Sequence, residues 1–202
     1  MKRNMRYRGS VMGVFVLAVS VMLGCTSLRV PLSPSQIVIP DDEHGLLLGK
    51  IHLTRDGKSP AEGLSWPKEM KWWVEDEATG TRLMIGHLSL DGPFAVQLPV
   101  GSYRVTDISL AGTRGIWHTV LPTTFTIRPR ECTTLGTLDL EMQTGFFTGW
   151  MTRQVSHENG GDAEDLGETY GAQGCPTLVA PLETPVKSVV RKQFPTRGAG
   201  RF

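Results

Sequence analysis

Between residues 45 and 156 apolar residues recur in short runs, each ended by a cluster carrying Gly, Pro or Asp, and no stretch keeps a helical repeat. A chain so punctuated is confined to short strands. In Gly49-Lys50-Ile51-His52-Leu53-Thr54 and again in Thr137-Leu138-Asp139-Leu140-Glu141-Met142, every second residue is apolar, which gives a strand one face for a core and one for water. The breaks Arg55-Asp56-Gly57, Thr79-Gly80, Asp91-Gly92-Pro93 and Pro99-Val100-Gly101 supply positive φ through Gly and a preset φ through Pro. Strands are predicted over residues 46–54, 70–75, 82–88, 94–98, 103–110, 116–127, 133–142 and 146–155. Their spacing predicts one all-β domain, a seven- to eight-stranded antiparallel β-sandwich. An extended N-terminal tether precedes it and an irregular C-terminal tail follows.

The flanks read differently. Lys2, Arg3, Arg6 and Arg8 precede an uncharged run over residues 11–23 that ends in Gly24-Cys25. Thirteen residues fall short of the roughly 20 that a membrane-spanning helix needs, but suit the apolar stretch of a secretory signal. Val21-Met22-Leu23-Gly24-Cys25 resembles the lipobox of bacterial lipoproteins, with Met22 where the family usually carries Leu, Val or Ile. The resemblance implies a signal peptide over residues 1–24, and an acyl anchor on Cys25 that makes the membrane the first partner. Thr26 in place of Asp implies, by the enterobacterial sorting rule, the outer membrane. An ordinary cleavable signal with an incidental Cys25 is the alternative. Residues 25–44, with Pro31, Pro34, Pro40 and the acidic Asp41-Asp42-Glu43, are the expected tether. Residues 157–202 are expected to be an acidic loop and a tail rich in Pro and Gly, with a short helix over 162–170 and room for one added strand.

Of the 21 basic residues, the four in the signal leave 17 against 20 acidic ones. A mature charge of about −3 offers no electrostatic reason to expect nucleic acid as a partner. With Cys25 acylated, Cys132 and Cys175 remain, and an oxidising compartment permits them to pair; two independent thiols are the alternative. Neither belongs to a C-x-x-C pair that would suggest redox or zinc chemistry.

Three local motifs carry a further resemblance. Gly49-Lys50-Ile51 opens a strand; Asp91-Gly92-Pro93-Phe94 with Val96 leads into Leu98-Pro99-Val100-Gly101-Ser102-Tyr103; and Leu135-Gly136-Thr137-Leu138 follows. Together they resemble the carboxypeptidase-regulatory or transthyretin-like (prealbumin-like) β-sandwich over residues 45–142. The resemblance implies two adjacent strands joined at Pro99 and Gly101, with Tyr103 packed or hydrogen-bonded at the edge. Members serve as accessory, adhesive, ligand-binding or spacer modules, and no active-site residue carries over.

Catalytic constellations do not emerge from the residues themselves. His44, His52, His87, His118 and His157 are scattered at no zinc-binding spacing, and Asp162, Glu164, Asp165 and Glu168 match no calcium loop. No metal or cofactor is expected. Trp72 and Trp73 are adjacent in a strand and so must face opposite sides. The outward one is a candidate binding patch, joined by Trp66, Trp117 or Trp150. The expectation is a lipid-anchored cell-envelope module for structure or protein interaction, not an enzyme. The alternative is a glycan- or peptide-binding module using an exposed tryptophan.

Overall fold

A computed structural model describes residues 27–34, 36, 38–59, 67–112, 115–120, 123–145, 148–156, 166–172, 175–179 and 186–193. Twelve strands occur among them: β1 (Ser27–Arg29), β2 (His44–Arg55), β3 (Pro67–Asp76), β4 (Arg82–Leu88), β5 (Asp91–Pro99), β6 (Gly101–Gly112), β7 (Gly115–Thr119), β8 (Thr124–Ile127), β9 (Cys132–Thr144), β10 (Thr148–Ser156), β11 (Thr177–Val179) and β12 (Val186–Gln193). They make one sheet. Ten follow the order β1-β4-β3-β6-β7-β12-β10-β9-β2-β5, while β8 pairs with β6 and β11 with β9.

The all-β class stands, but the seven- to eight-stranded antiparallel sandwich needs correction. The sheet has more strands, is mixed, and curls toward a barrel. Its parallel pairs are β1 with β4, β2 with β9 and β11 with β9. The cause lies in the two flanking segments. Without β1 and β12 the path would separate into two four-stranded layers, β4-β3-β6-β7 and β10-β9-β2-β5. Strand β12 pairs with β10 over 186–191 and with β7 over 191–193, joining the layers on one side. On the other side β1 pairs with β4, and the chain leaving it crosses to β5, where the Leu32 amide donates to the Ala95 carbonyl at 2.8 Å. Each open edge is a row of unpaired backbone donors and acceptors; β12 pairs with the edges of β7 and β10, β1 pairs with that of β4, and the Leu32 amide meets that of β5 at Ala95.

The described parts of the expected tether and tail are docked: β1 lies within residues 25–44, and β12 takes the room left for an added strand in the tail, which to that extent is not irregular. Leu46, Leu47 and Leu48 are all fully buried, so β2 is covered on both faces. Leu47, Ile51 and Leu53 enter the main core with Trp72, Phe94 and Leu138. Leu46 and Leu48 enter a second cluster with Ala95, Cys132, Leu166, Tyr170 and Ala172, against which Leu32, Val38 and Cys175 pack. A helical turn at 166–169 therefore caps the outer face of β2 and β9; residues 162–165 of the expected helix lie outside the described residues. Cys132 and Cys175 form a disulfide across a separation of 43 residues, fastening this cap to the start of β9.

Two features of the quoted motifs acquire reasons. Gly49 has no side chain because the Phe94 ring lies 2.7 Å from where a Cβ would stand; that space lets Phe94 meet Trp72 edge-on, centroids 5.6 Å apart. Opposite Gly49 the pairing of β2 with β9 skips from Leu48↔Thr134 to Lys50↔Thr137, a bulge at Leu135-Gly136 with Gly136 at φ 70°. At the other motif Tyr103 is buried, stacks on Phe125 with centroids 5.6 Å apart, and donates its hydroxyl to the Pro99 carbonyl at 2.9 Å. The predicted strand over 116–127 is two strands, β7 and β8, which pair with different stretches of β6.

Replacing both Cys132 and Cys175 with Ala is expected to cost roughly 3 to 4 kcal/mol on the chain-entropy scale, read as a lower urea midpoint; an unchanged midpoint would contradict the cap's role. Tyr103 supplies a pH test. Burial pushes its phenol up to about 12, with Asp76 adding to the rise and Arg29 opposing it. The folded state favours the neutral phenol, so this contribution is intact below the unfolded value of about 10. It is lost as pH climbs from there toward about 12. Melting temperature should fall across that window, and Tyr103→Phe should flatten the fall while losing about 1 kcal/mol at neutral pH with the Pro99 hydrogen bond. Parallel melting curves for both proteins from pH 9 to 12 would be the contrary result.

Candidate functional site

The tryptophan pair divides between the inside and the outside of the sheet. Trp72 is 1% exposed in the main core, its indole N–H 3.0 Å from the Met70 sulfur, so it forms no part of a surface patch. Trp73 is half-buried on the outer face, with the Arg82 guanidinium 5.5 Å from its ring centroid. Trp117 packs half-buried against the main core, and Trp66 lies outside the described residues. Among the described residues the exposed indole is Trp150, at 47%, on β10.

Its exposure comes from register. In Gly149-Trp150-Met151-Thr152-Arg153 the inward residues are Met151 and Arg153, 0% and 1% exposed, while Trp150 faces out. Met151 lies opposite the fully buried Met142 of β9 and so fixes which face of β10 points inward. The strand thereby buries a guanidinium and exposes an indole, the reverse of what transfer energies favour for either side chain. Alternation in the sequence already groups Trp150 with Thr148, Thr152 and Gln154 against Met151 and Val155, and Trp150 is one of the indoles expected to join an outward patch; the pairing of β10 with β9 and β12 shows what accompanies it there.

Trp150 pairs with Val189 of β12 on one side and Gln143 of β9 on the other. Val189 is itself 45% exposed, and Lys187 holds its ammonium 4.9 Å from the Trp150 ring centroid. An open cleft of about 590 Å³ runs beside the ring, lined also by Asp56, Glu141 and Gln143. Across Val189 lies a second depression of about 400 Å³, bordered by His118, Asp107, Arg191 and the exposed Val120. There His118 Nδ1 is 3.1 Å from Asp107 Oδ2. The combined surface offers a flat ring, an aliphatic ridge and charges of both signs. This composition suits the contact centre of a binding face, where aromatic anchors sit among polar groups.

The other described histidines do not join it. His44, His52 and His87 lie 3.1, 3.1 and 3.0 Å from Asp41, Asp91 and Glu69, each at its own place in the fold. Among the described residues no three His, Cys, Asp or Glu side chains are grouped to hold a metal ion. Cys132 and Cys175 are joined to each other. Cys25, His157 and the acidic residues Asp162, Glu164 and Asp165 lie outside the described residues, while Glu168 is an exposed member of the helical turn.

No family model matches the sequence, and no curated protein matches it. Among solved structures, the chain has a slight likeness to a leucine-rich repeat protein from Bacteroides thetaiotaomicron. The two are 17% identical with a TM-score of 0.31, over 52% of this chain and 14% of that one, an overlap too small to relate the two folds.

Proposed function

We propose that this chain is a lipid-anchored module of the cell envelope, without catalytic activity, that binds a protein partner on the outer face of β10 and β12. The observation that carries the reading is the exposed Trp150 of β10 beside the exposed Val189 of β12. A soluble fold gains nothing by exposing an indole next to a valine, whereas an interface uses such a pair as its anchor. The basic stretch, the short apolar run and Leu23-Gly24-Cys25 support acylation of Cys25, and Thr26 supports the outer membrane. Several buried methylenes at about 0.8 kcal/mol each make such attachment long-lived. The transthyretin-like kinship remains part of the proposal, supported by the Pro99–Tyr103 corner and by the two four-stranded layers that β1 and β12 join.

A second reading of the same face rests on a separate observation. Asp56, Glu141 and Gln143 line the cleft beside the Trp150 ring, and a ring with carboxylates and an amide at its edge is suited to a sugar or a short peptide.

One set of strains tests both. Full-length chain expressed in a Gram-negative host should gain acyl mass and sediment with outer membranes, and Cys25→Ser should do neither. A photo-crosslinker at position 189 should give a discrete protein adduct that falls about tenfold in Trp150→Ala and is unchanged in Ile39→Ala, an exposed site elsewhere. A tenfold loss corresponds to about 1.4 kcal/mol. Absence of any protein adduct, together with saturable quenching of Trp150 emission by envelope glycan fragments, would replace the first reading with the second.

A further inference from the structure

We propose that the outer face of β1, β4 and β3 rests directly on the bilayer, so that the barrel is held against the membrane and not suspended from it. This rests on the reading of Cys25 as the acylated residue. Ser27 is already paired with Leu83 of β4, and only Thr26 separates it from Cys25. Two residues reach at most about 7 Å. An acyl group on Cys25 therefore fixes the start of β1 at the depth of the lipid headgroups, and the wall of the barrel that contains β1 comes with it.

That wall has the surface chemistry of a membrane interface. Leu28 and Val30 stand on one face of the segment, 49% and 52% exposed, while Arg29 between them is half-buried. Leu28 lies opposite Met84 of β4, and Met84 lies opposite Trp73 of β3. Leu28, Met84 and Trp73 thus form one apolar row across three neighbouring strands. Arg82 covers the Trp73 ring, and Arg104 and Lys71 flank the row. Carboxylates share this face: Glu75 is 3.2 Å from Arg104 and 4.0 Å from Arg82, Glu69 is 3.5 Å from Lys71 and 3.0 Å from His87, and Asp107 of β6, in register with Trp73, is 3.1 Å from His118. Aliphatic side chains and an indole ringed by cations match the boundary between acyl chains and anionic headgroups. An aqueous surface has no such use for exposed Leu28 and Val30 on a short edge strand.

The placement also orients the rest of the molecule. In the ten-strand path β1 and β12 are five steps apart. With β1 down, Trp150 and Val189 sit on β10 and β12, strands that pair with none of β1, β4 and β3, so the ridge they form is separate from the strands that meet the membrane.

The acylated full-length protein, reconstituted in vesicles of phosphatidylethanolamine and phosphatidylglycerol, can be compared with the same protein in vesicles whose acyl chains are brominated. Bromines quench only indoles close to the hydrocarbon. Brominated lipid should quench the emission, Trp73→Phe should remove about half or more of that quenching, and Trp150→Phe should leave it intact. Leu28→Ser combined with Val30→Ser, both at exposed positions, should reduce the quenching while the protein still sediments with the vesicles. If the protein sediments but its quenching is absent, or is lost in Trp150→Phe and kept in Trp73→Phe, the proposed face is wrong while the anchor stands. If the acylated protein does not sediment at all, the anchor and the face fail together.

Discussion

Four strand edges govern this structure. Two four-stranded layers enclose a single apolar core, and β4, β7, β10 and β5 would each end a layer with a free row of backbone groups. Unpaired edges in a folded chain invite pairing with other chains. Here the chain uses its own ends: β1 and the stretch that follows it cover β4 and reach β5, while β12 fills the gap between β7 and β10. Once those seams are closed the layers cannot splay, the main core is sealed, and the register of β10 is fixed from both sides. The register of β10 in turn sets which of its side chains face outward.

The second cluster follows from the same economy of edges. Strand β2 is flanked by β5 and β9 and buried on both faces, as is usual for strands with parallel neighbours. Its outer face needs a cover, which the helical turn at 166–169 provides through Leu166 and Tyr170, held in place by the disulfide from Cys175 to Cys132. The run Leu46-Leu47-Leu48 was the sequence signal for this double burial. It breaks the alternation that holds from Gly49 to Thr54 because those later residues have only one face inside.

Legibility divided along physical lines. Strands β2 to β6, β9 and β10 were readable because turn residues mark their ends and local alternation marks their faces. The corner at Pro99 and Tyr103 was readable for the same reason. What pairs with what was not readable. A strand such as Val186–Gln193, with three valines and three cations, reads locally as no more than room for an added strand, and becomes one because two edges await it. The binding face was legible only in part: Trp150 is among the indoles expected to join an outward patch, but its neighbours Val189 and Lys187 come from a strand whose pairing no local signal gives, and the burial of Arg153 follows from the register with Met142. Trp72, the more conspicuous indole in the sequence, serves the core.

The central claim is that the C-terminal strand is an integral stave of the sheet, and hydrogen exchange measured by mass spectrometry on the intact chain tests it directly. Peptides covering residues 186–191 should show protection comparable to β9, because their amides and carbonyls are shared with β10 and β7. If those residues exchange as fast as an unfolded chain while β9 and β10 remain protected, β12 is not part of the sheet. The sheet would then be open between β7 and β10, and Trp150 would lose Val189 as its neighbour on the proposed binding face.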